Sequence, residues 1–196
     1  MKLNKANLLT LFRATSAPVF LAVWFAAPGR AGLIAALVLA ALSEASDLLD
    51  GYFARRDKTV STFGKLMDPY ADSLFRLTVF FCFASVAHGK WIPLWMPVLL
   101  FYRDVVTSIV RLFAMHKGVV VAARVSGKIK AVLQGTAMIT LLSLAIIFYD
   151  PIIESVESGL IPYMRWTMLG VVVFSIASGI EYLWANRSAF REKEEA

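Results

Sequence analysis

The chain has 196 residues, of which 59% are hydrophobic, with a mean hydropathy of +0.67 and a formal net charge of +6. This is too apolar for an ordinary soluble domain, and the length suits one compact membrane unit, residues 1–196, with no linker long enough to divide it. The basic excess points to anionic lipid headgroups and phosphate-bearing small molecules as partners, with no nucleic acid expected.

In chain order, Met1 to Thr10 reads as a short interfacial lead-in with Lys2 and Lys5 at headgroup level and Asn7 as a helix cap. Apolar stretches of spanning length follow at 8–28, 31–54, 73–88, 92–115, 131–149 and 163–185. They predict an all-α polytopic bundle of six transmembrane helices. The first stretch is too long for a cleavable signal peptide and runs through Ala26, Ala27, Pro28 and Gly29 straight into the second. Between the second and third, about Arg56 to Lys65, the residues Asp57, Lys58, Thr59, Ser61, Thr62 and Gly64 predict a turn. Cys82, the lone cysteine, reads as a small buried hydrophobe. The region of Asp150, Pro151, Glu154 and Glu157 reads as an acidic connection, and Asn186 to Ala196 as a charged tail. Trp91, Trp95, Trp166 and Trp184 fall near predicted span ends, as an aromatic belt would place them.

Orientation follows from the basic residues. With six spans and both termini on one side, 17 lysines and arginines share that side and only Arg30, Lys90 and Arg165 take the other. The expected topology is therefore a cytoplasmic-membrane protein with both termini, and the acidic segment described next, facing the cytoplasm.

Five of the seven aspartates fall between positions 47 and 72. A carboxylate in or near the bilayer core costs about 3 kcal/mol on insertion scales, and acids held together resist ionising. A shared divalent cation offsets both costs. Asp47 and Asp50 are three apart and Asp68 and Asp72 four apart, so each pair shares one face of a helix. A turn between the two helices would bring the faces together. Four carboxylates suit one or two Mg²⁺ or Mn²⁺ ions, while His88 and His116 are isolated and no zinc site is indicated. Gly51 allows close approach of a ligand to the backbone, and Arg55 offers a guanidinium to phosphate. Metal and arginine together suit the transfer of a phosphate-bearing group.

The stretch D47-x2-D50-G51-x2-A54-R55-x8-G64-x3-D68-x3-D72 resembles in full the signature of the CDP-alcohol phosphatidyltransferase family, eight fixed identities over 26 positions. The resemblance implies a six-helix membrane enzyme that moves a phosphatidyl group from a CDP-linked lipid to an alcohol and releases CMP. It implies two metal ions on Asp47, Asp50, Asp68 and Asp72, with Asp72 also the general base. It further implies contacts to the CDP-lipid from Asp50, Gly51, Arg55 and Ser61, and a homodimer among the assemblies such proteins form. Asp57 lies outside the signature and reads as a solvated charge.

The second half bears on the acceptor. Arg103, Asp104 and Arg111 interrupt the fourth span, and Lys128 and Lys130 precede the fifth, with Gln134 one turn on. Basic residues returning to the membrane are costly unless they meet acids or an anionic ligand, so the four cations are read as a pocket for a phosphorylated acceptor. With Asn7, Thr10 and Arg13 at the opening and Gly127-Lys128-x-Lys130 later, the pattern resembles the phosphatidylglycerophosphate synthase branch of the family. That likeness implies CDP-diacylglycerol as donor, sn-glycerol 3-phosphate as acceptor, and Thr10 and Arg13 on the lipid donor. One departure is Ser73 where that branch commonly has lysine, with Arg76 one turn later. The phosphatidylinositol-phosphate synthases therefore stand as the alternative. A divalent-cation transporter is the alternative of another class, but it would spread its acids along several spans, and a lipid phosphatase would need a nucleophile that is not apparent.

Overall fold

An apolar run that is withdrawn from water must bond its own backbone, and the apolar runs of this sequence fall on helices. The computed structural model describes residues 5–57, 62–86, 91–116, 124–149 and 154–187. Within them, the side chains of 5–11, 13–14, 47–48, 50–57, 62–69, 115–116 and 154–159 are outside the description. The described residues form six helices: α1 (Lys5–Ala26), α2 (Arg30–Asp57), α3 (Thr62–Ser85), α4 (Trp95–His116), α5 (Val125–Ile147) and α6 (Glu154–Ala185).

Several helices outrun the apolar stretches that predicted them. α1 already includes Lys5, so Asn7 lies inside the helix and does not cap it. α2 continues to Asp57 and α3 begins at Thr62, so both ends of the expected turn are helical and Asp57 closes α2. α6 takes in Glu154 and Glu157, which were expected in a connection. The reason is common to all three: hydropathy registers only the apolar part of a helix, whereas the hydrogen-bonded ladder runs on through polar residues at its ends. The remainder of the expected acidic connection and most of the charged tail lie outside the described residues.

α1 packs against both α2 and α3, α6 against both α4 and α5, and α5 reaches back to α2 and α3. An aromatic series joins α1 to α3. Phe20 meets Phe75 edge-on at 5.7 Å, Trp24 meets Phe83 at 5.2 Å, and Phe83 meets Trp91 at 6.0 Å. Trp91 is thus half-buried against the core, while Trp95, Trp166 and Trp184 are exposed as a belt requires. Met138, Leu141 and Leu142 of α5 and Met164 and Met168 of α6 complete the same core, and Cys82 is buried within it.

Polarity runs opposite to that of a soluble bundle. Ser16, Ser43, Ser46, Arg76, Asp104, Lys130, Gln134, Ser175 and Ser178 are buried, whereas Phe25, Val132, Val173 and Ile180 are more than 60% exposed. Water would reverse that distribution, and lipid accepts it. Among the described residues, α5 and the Leu160–Ala185 part of α6 are long and apolar enough to cross a membrane, and Thr15–Ala26 is a shorter apolar stretch. α2, α3 and α4 carry seven, four and three charged acids and bases respectively, which dilutes their hydropathy. The chain is membrane-associated.

Candidate active site

The signature aspartates divide between two consecutive helices, Asp47 and Asp50 on the C-terminal half of α2 and Asp68 and Asp72 on the N-terminal half of α3. Gly51 and Arg55 follow on α2, and Thr10 and Arg13 lie on α1, which packs against both. Asp72 is half-buried. The side chains of Thr10, Arg13, Asp47, Asp50, Arg55 and Asp68, and the whole of Ser61, lie outside the described residues. No cluster of three or more metal-binding side chains occurs among the described residues.

An ion pair that sequence reasoning missed joins α2 to α3. Arg76 of α3 donates from Nε to Oε1 of Glu44 and from Nη2 to Oε2, both at 2.8 Å. Parallel bonds from a planar guanidinium to a carboxylate form the strongest common type of side-chain pairing. Arg76 is 7% exposed at its side chain and Glu44 27%, so the pair is largely removed from solvent. Gly135 of α5 makes the room: a Cβ there would lie 2.8 Å from Oε2 of Glu44 and 3.1 Å from its Cδ. A signal for Glu44 was present, since it stands one helical turn before Asp47.

The second constellation joins α4, α5 and α6. Lys130 Nζ donates to Asp104 Oδ1 at 2.6 Å, and Arg103 Nη1 donates to the same oxygen at 3.0 Å. Arg103 also spans to α6, from Nε to the Ser175 carbonyl at 3.1 Å and from Nη2 to Ser178 Oγ at 2.9 Å. Gly179 admits that guanidinium arm, because a Cβ there would sit 2.9 Å from Arg103 Cγ. Thr107 Oγ1 donates back to the carbonyls of Arg103 and Asp104, both at 3.1 Å, which stiffens this turn of α4. Asp104 and Lys130 are each 6% exposed, and Oδ2 of Asp104 has no hydrogen-bond partner among the described residues.

Of the four cations expected around an acceptor phosphate, the structure thus brings Arg103 and Lys130 together on Asp104. Arg111 is half-buried further along α4, and Lys128 is exposed near the start of α5. Gln134 is buried one turn beyond Lys130. Two cations on one anion leave an excess positive charge inside the bundle, suited to receive an anionic ligand. Nothing in the sequence announced Ser175 and Ser178, which reach Arg103 only through the packing of α6 on α4. At the α5–α6 surface, Arg124 Nη1 donates to Glu181 Oε1 at 2.8 Å in an exposed pair.

The chain is similar in sequence to several known proteins. The CDP-diacylglycerol–glycerol-3-phosphate 3-phosphatidyltransferase of Bacillus subtilis is 29% identical over 199 aligned residues, covering 96% of this chain and 97% of that protein. The protein of the same name from Treponema pallidum is 31% identical over 162 residues, covering 79% of this chain and 71% of its own length. That from Sodalis glossinidius is 33% identical over 144 residues, or 72% of this chain and 78% of that protein. Residues 3–178 match the sequence profile of the CDP-alcohol phosphatidyltransferases. With the aspartate signature divided between α2 and α3, and a match that spans nearly the whole helical bundle, the chain belongs to the CDP-alcohol phosphatidyltransferase family, and it is an enzyme.

Proposed function

We propose that the chain transfers the phosphatidyl group of CDP-diacylglycerol to sn-glycerol 3-phosphate, giving phosphatidylglycerophosphate and CMP, as a step in phospholipid synthesis. The observation that carries the acceptor assignment is the buried Arg103–Asp104–Lys130 cluster, whose surplus positive charge suits a phosphate. The names of the relatives, each a glycerol-3-phosphate phosphatidyltransferase, support the same acceptor. Family membership sets the transporter and phosphatase alternatives aside.

In this reading Asp47, Asp50, Asp68 and Asp72 hold two Mg²⁺ or Mn²⁺ ions. The donor set fits: four carboxylates on two neighbouring helices are hard oxygen ligands, and no cysteine or histidine occurs between Asp47 and Asp72. When bound, such ions supply charge neutralisation at the pyrophosphate. The protein's own groups do the rest. Thr10, Arg13, Asp50, Gly51, Arg55 and Ser61 contact the CDP-lipid. Asp72 takes the proton from the attacking hydroxyl of the acceptor, and Arg103, Arg111, Lys128 and Lys130 receive and orient its phosphate. The hydroxyl oxygen forms a new bond to the lipid-side phosphorus, the pyrophosphate bridge breaks there, and CMP departs with the bridging oxygen.

Six membrane spans with both termini and the aspartates on the cytoplasmic side complete the proposal. The 17-to-3 distribution of basic residues and the outward apolar faces support it. The test is CMP release by the purified protein with CDP-diacylglycerol, Mg²⁺, and glycerol 3-phosphate, glycerol or inositol phosphate in parallel. Release that requires both the metal and glycerol 3-phosphate is expected. Equal use of glycerol would remove the phosphate pocket, and preference for inositol phosphate would reassign the acceptor while keeping the pocket.

A further inference from the structure

We propose that Glu44 and Arg76 are positioning residues, a two-bond clamp that fixes α2 against α3 and so tunes the affinity of the four aspartates for a divalent cation. This rests on the reading of those aspartates as metal ligands.

The clamp sits one turn from the first pair of acids. Asp47 lies three residues past Glu44 on α2, about 4.5 Å along the axis, and Asp72 lies four residues before Arg76 on α3, about 6 Å. The next turn in the same direction carries Asp50 on one helix and Asp68 on the other. From the clamp towards the hairpin end, both helices thus present acids at successive turns. A slip of α3 by one residue would shift it by about 1.5 Å and rotate its positions by about 100°. Metal–oxygen distances tolerate about 0.2 Å, so a shared cation cannot survive that slip.

Among the described residues α3 lies on α1 through apolar contacts such as Phe20 on Phe75, which have no hydrophobic drive in lipid. Arg76 and Glu44, by contrast, meet through two bonds of 2.8 Å whose planarity admits one alignment. The Glu44 carboxylate is backed by the α5 backbone at Gly135, so it cannot retreat towards α5. Withdrawing the Arg76 charge and much of Glu44 from solvent is costly, so the pair contributes more to geometry than to stability.

The experiment measures Mn²⁺ binding to the purified protein in detergent by electron paramagnetic resonance, without substrate, alongside the melting temperature. Glu44→Gln, Arg76→Lys and the double variant Glu44→Leu/Arg76→Met are compared with the parent, and Asp68→Asn serves as a ligand-loss control. The double variant matters because a buried ion pair replaced by apolar groups of similar size commonly folds as well as the original. We expect it to melt near the parent and bind Mn²⁺ at least about 10-fold more weakly, the lower range for loss of a group that orients metal ligands. Arg76→Lys, which keeps the charge and loses the fork, should fall between. Parental Mn²⁺ affinity in the double variant would overturn the proposal and leave the pair a purely structural contact. If the parent bound no Mn²⁺, or Asp68→Asn bound it equally well, the metal reading would fail first and the clamp's role would fall with it.

Discussion

Asp104 is the one anion in a buried cluster with two cations, and replacing it by asparagine is the sharpest test of that cluster. Asp104→Asn keeps the shape and removes the charge, leaving the Lys130 ammonium, previously 2.6 Å from Oδ1, and the Arg103 guanidinium, previously 3.0 Å away, without a counter-ion. Removing one partner of a buried pair costs about 3–5 kcal/mol, because the charge left behind remains desolvated. For a chain of this size each kcal/mol moves the melting temperature by about 2–4 °C, so a fall of about 10 °C is expected. Lys130→Met should cost about 1 kcal/mol or less: Asp104 keeps Arg103, and the desolvation of the ammonium disappears with it. The assay is intrinsic tryptophan fluorescence against temperature, for both variants in the same detergent. An Asp104→Asn variant that melts within about 2 °C of the parent would refute the reasoning. So would a Lys130→Met variant less stable than Asp104→Asn, since that would make the lysine, not the aspartate, the hub of the network.

Two further outcomes concern the reaction. Asp72→Asn should retain CDP-diacylglycerol binding and lose transfer by at least about 100-fold, measured as CMP release, and loss of donor binding alone would make Asp72 only a ligand. Arg111→Ala and Lys128→Ala should raise KM for glycerol 3-phosphate and leave KM for the lipid donor little changed, and equal rises in both would place them outside the acceptor pocket.

Helices, their order and the division of the aspartates between α2 and α3 were legible because each leaves a one-dimensional mark: an apolar run, or an acid at a spacing of three or four. Helix ends were less so. The turn expected from Arg56 to Lys65 shrank because threonine, glycine and aspartate are tolerated in the first and last turns of helices, which continue past the apolar run. The pairing of Arg103 with Asp104 could be foreseen from adjacency, and Lys130 as a second partner of the same oxygen could not. That contact depends on how far α5 has rotated against α4, which no local pattern encodes. Ser175, Ser178 and Gly179 illustrate the limit further: in sequence they are small residues in an apolar helix, and only the closeness of α4 gives them work. Glu44 and Arg76 lie between these cases, each visible as a charge one turn from an acid and neither visible as the other's partner.

The reversal of polarity between surface and interior changes what cohesion means for this chain. Lipid tails solvate Val132, Val173 and Ile180 as well as another helix would, so trimming such side chains removes little that holds the bundle together. Alignment of the helices instead concentrates at a few polar joints, Arg76 on Glu44 and Arg103 with Lys130 on Asp104, each seated where a glycine or a buried serine lets two backbones close up. A molecule fastened at so few points resembles a riveted frame more than a glued block: indifferent to most changes on its plates, and vulnerable at its rivets.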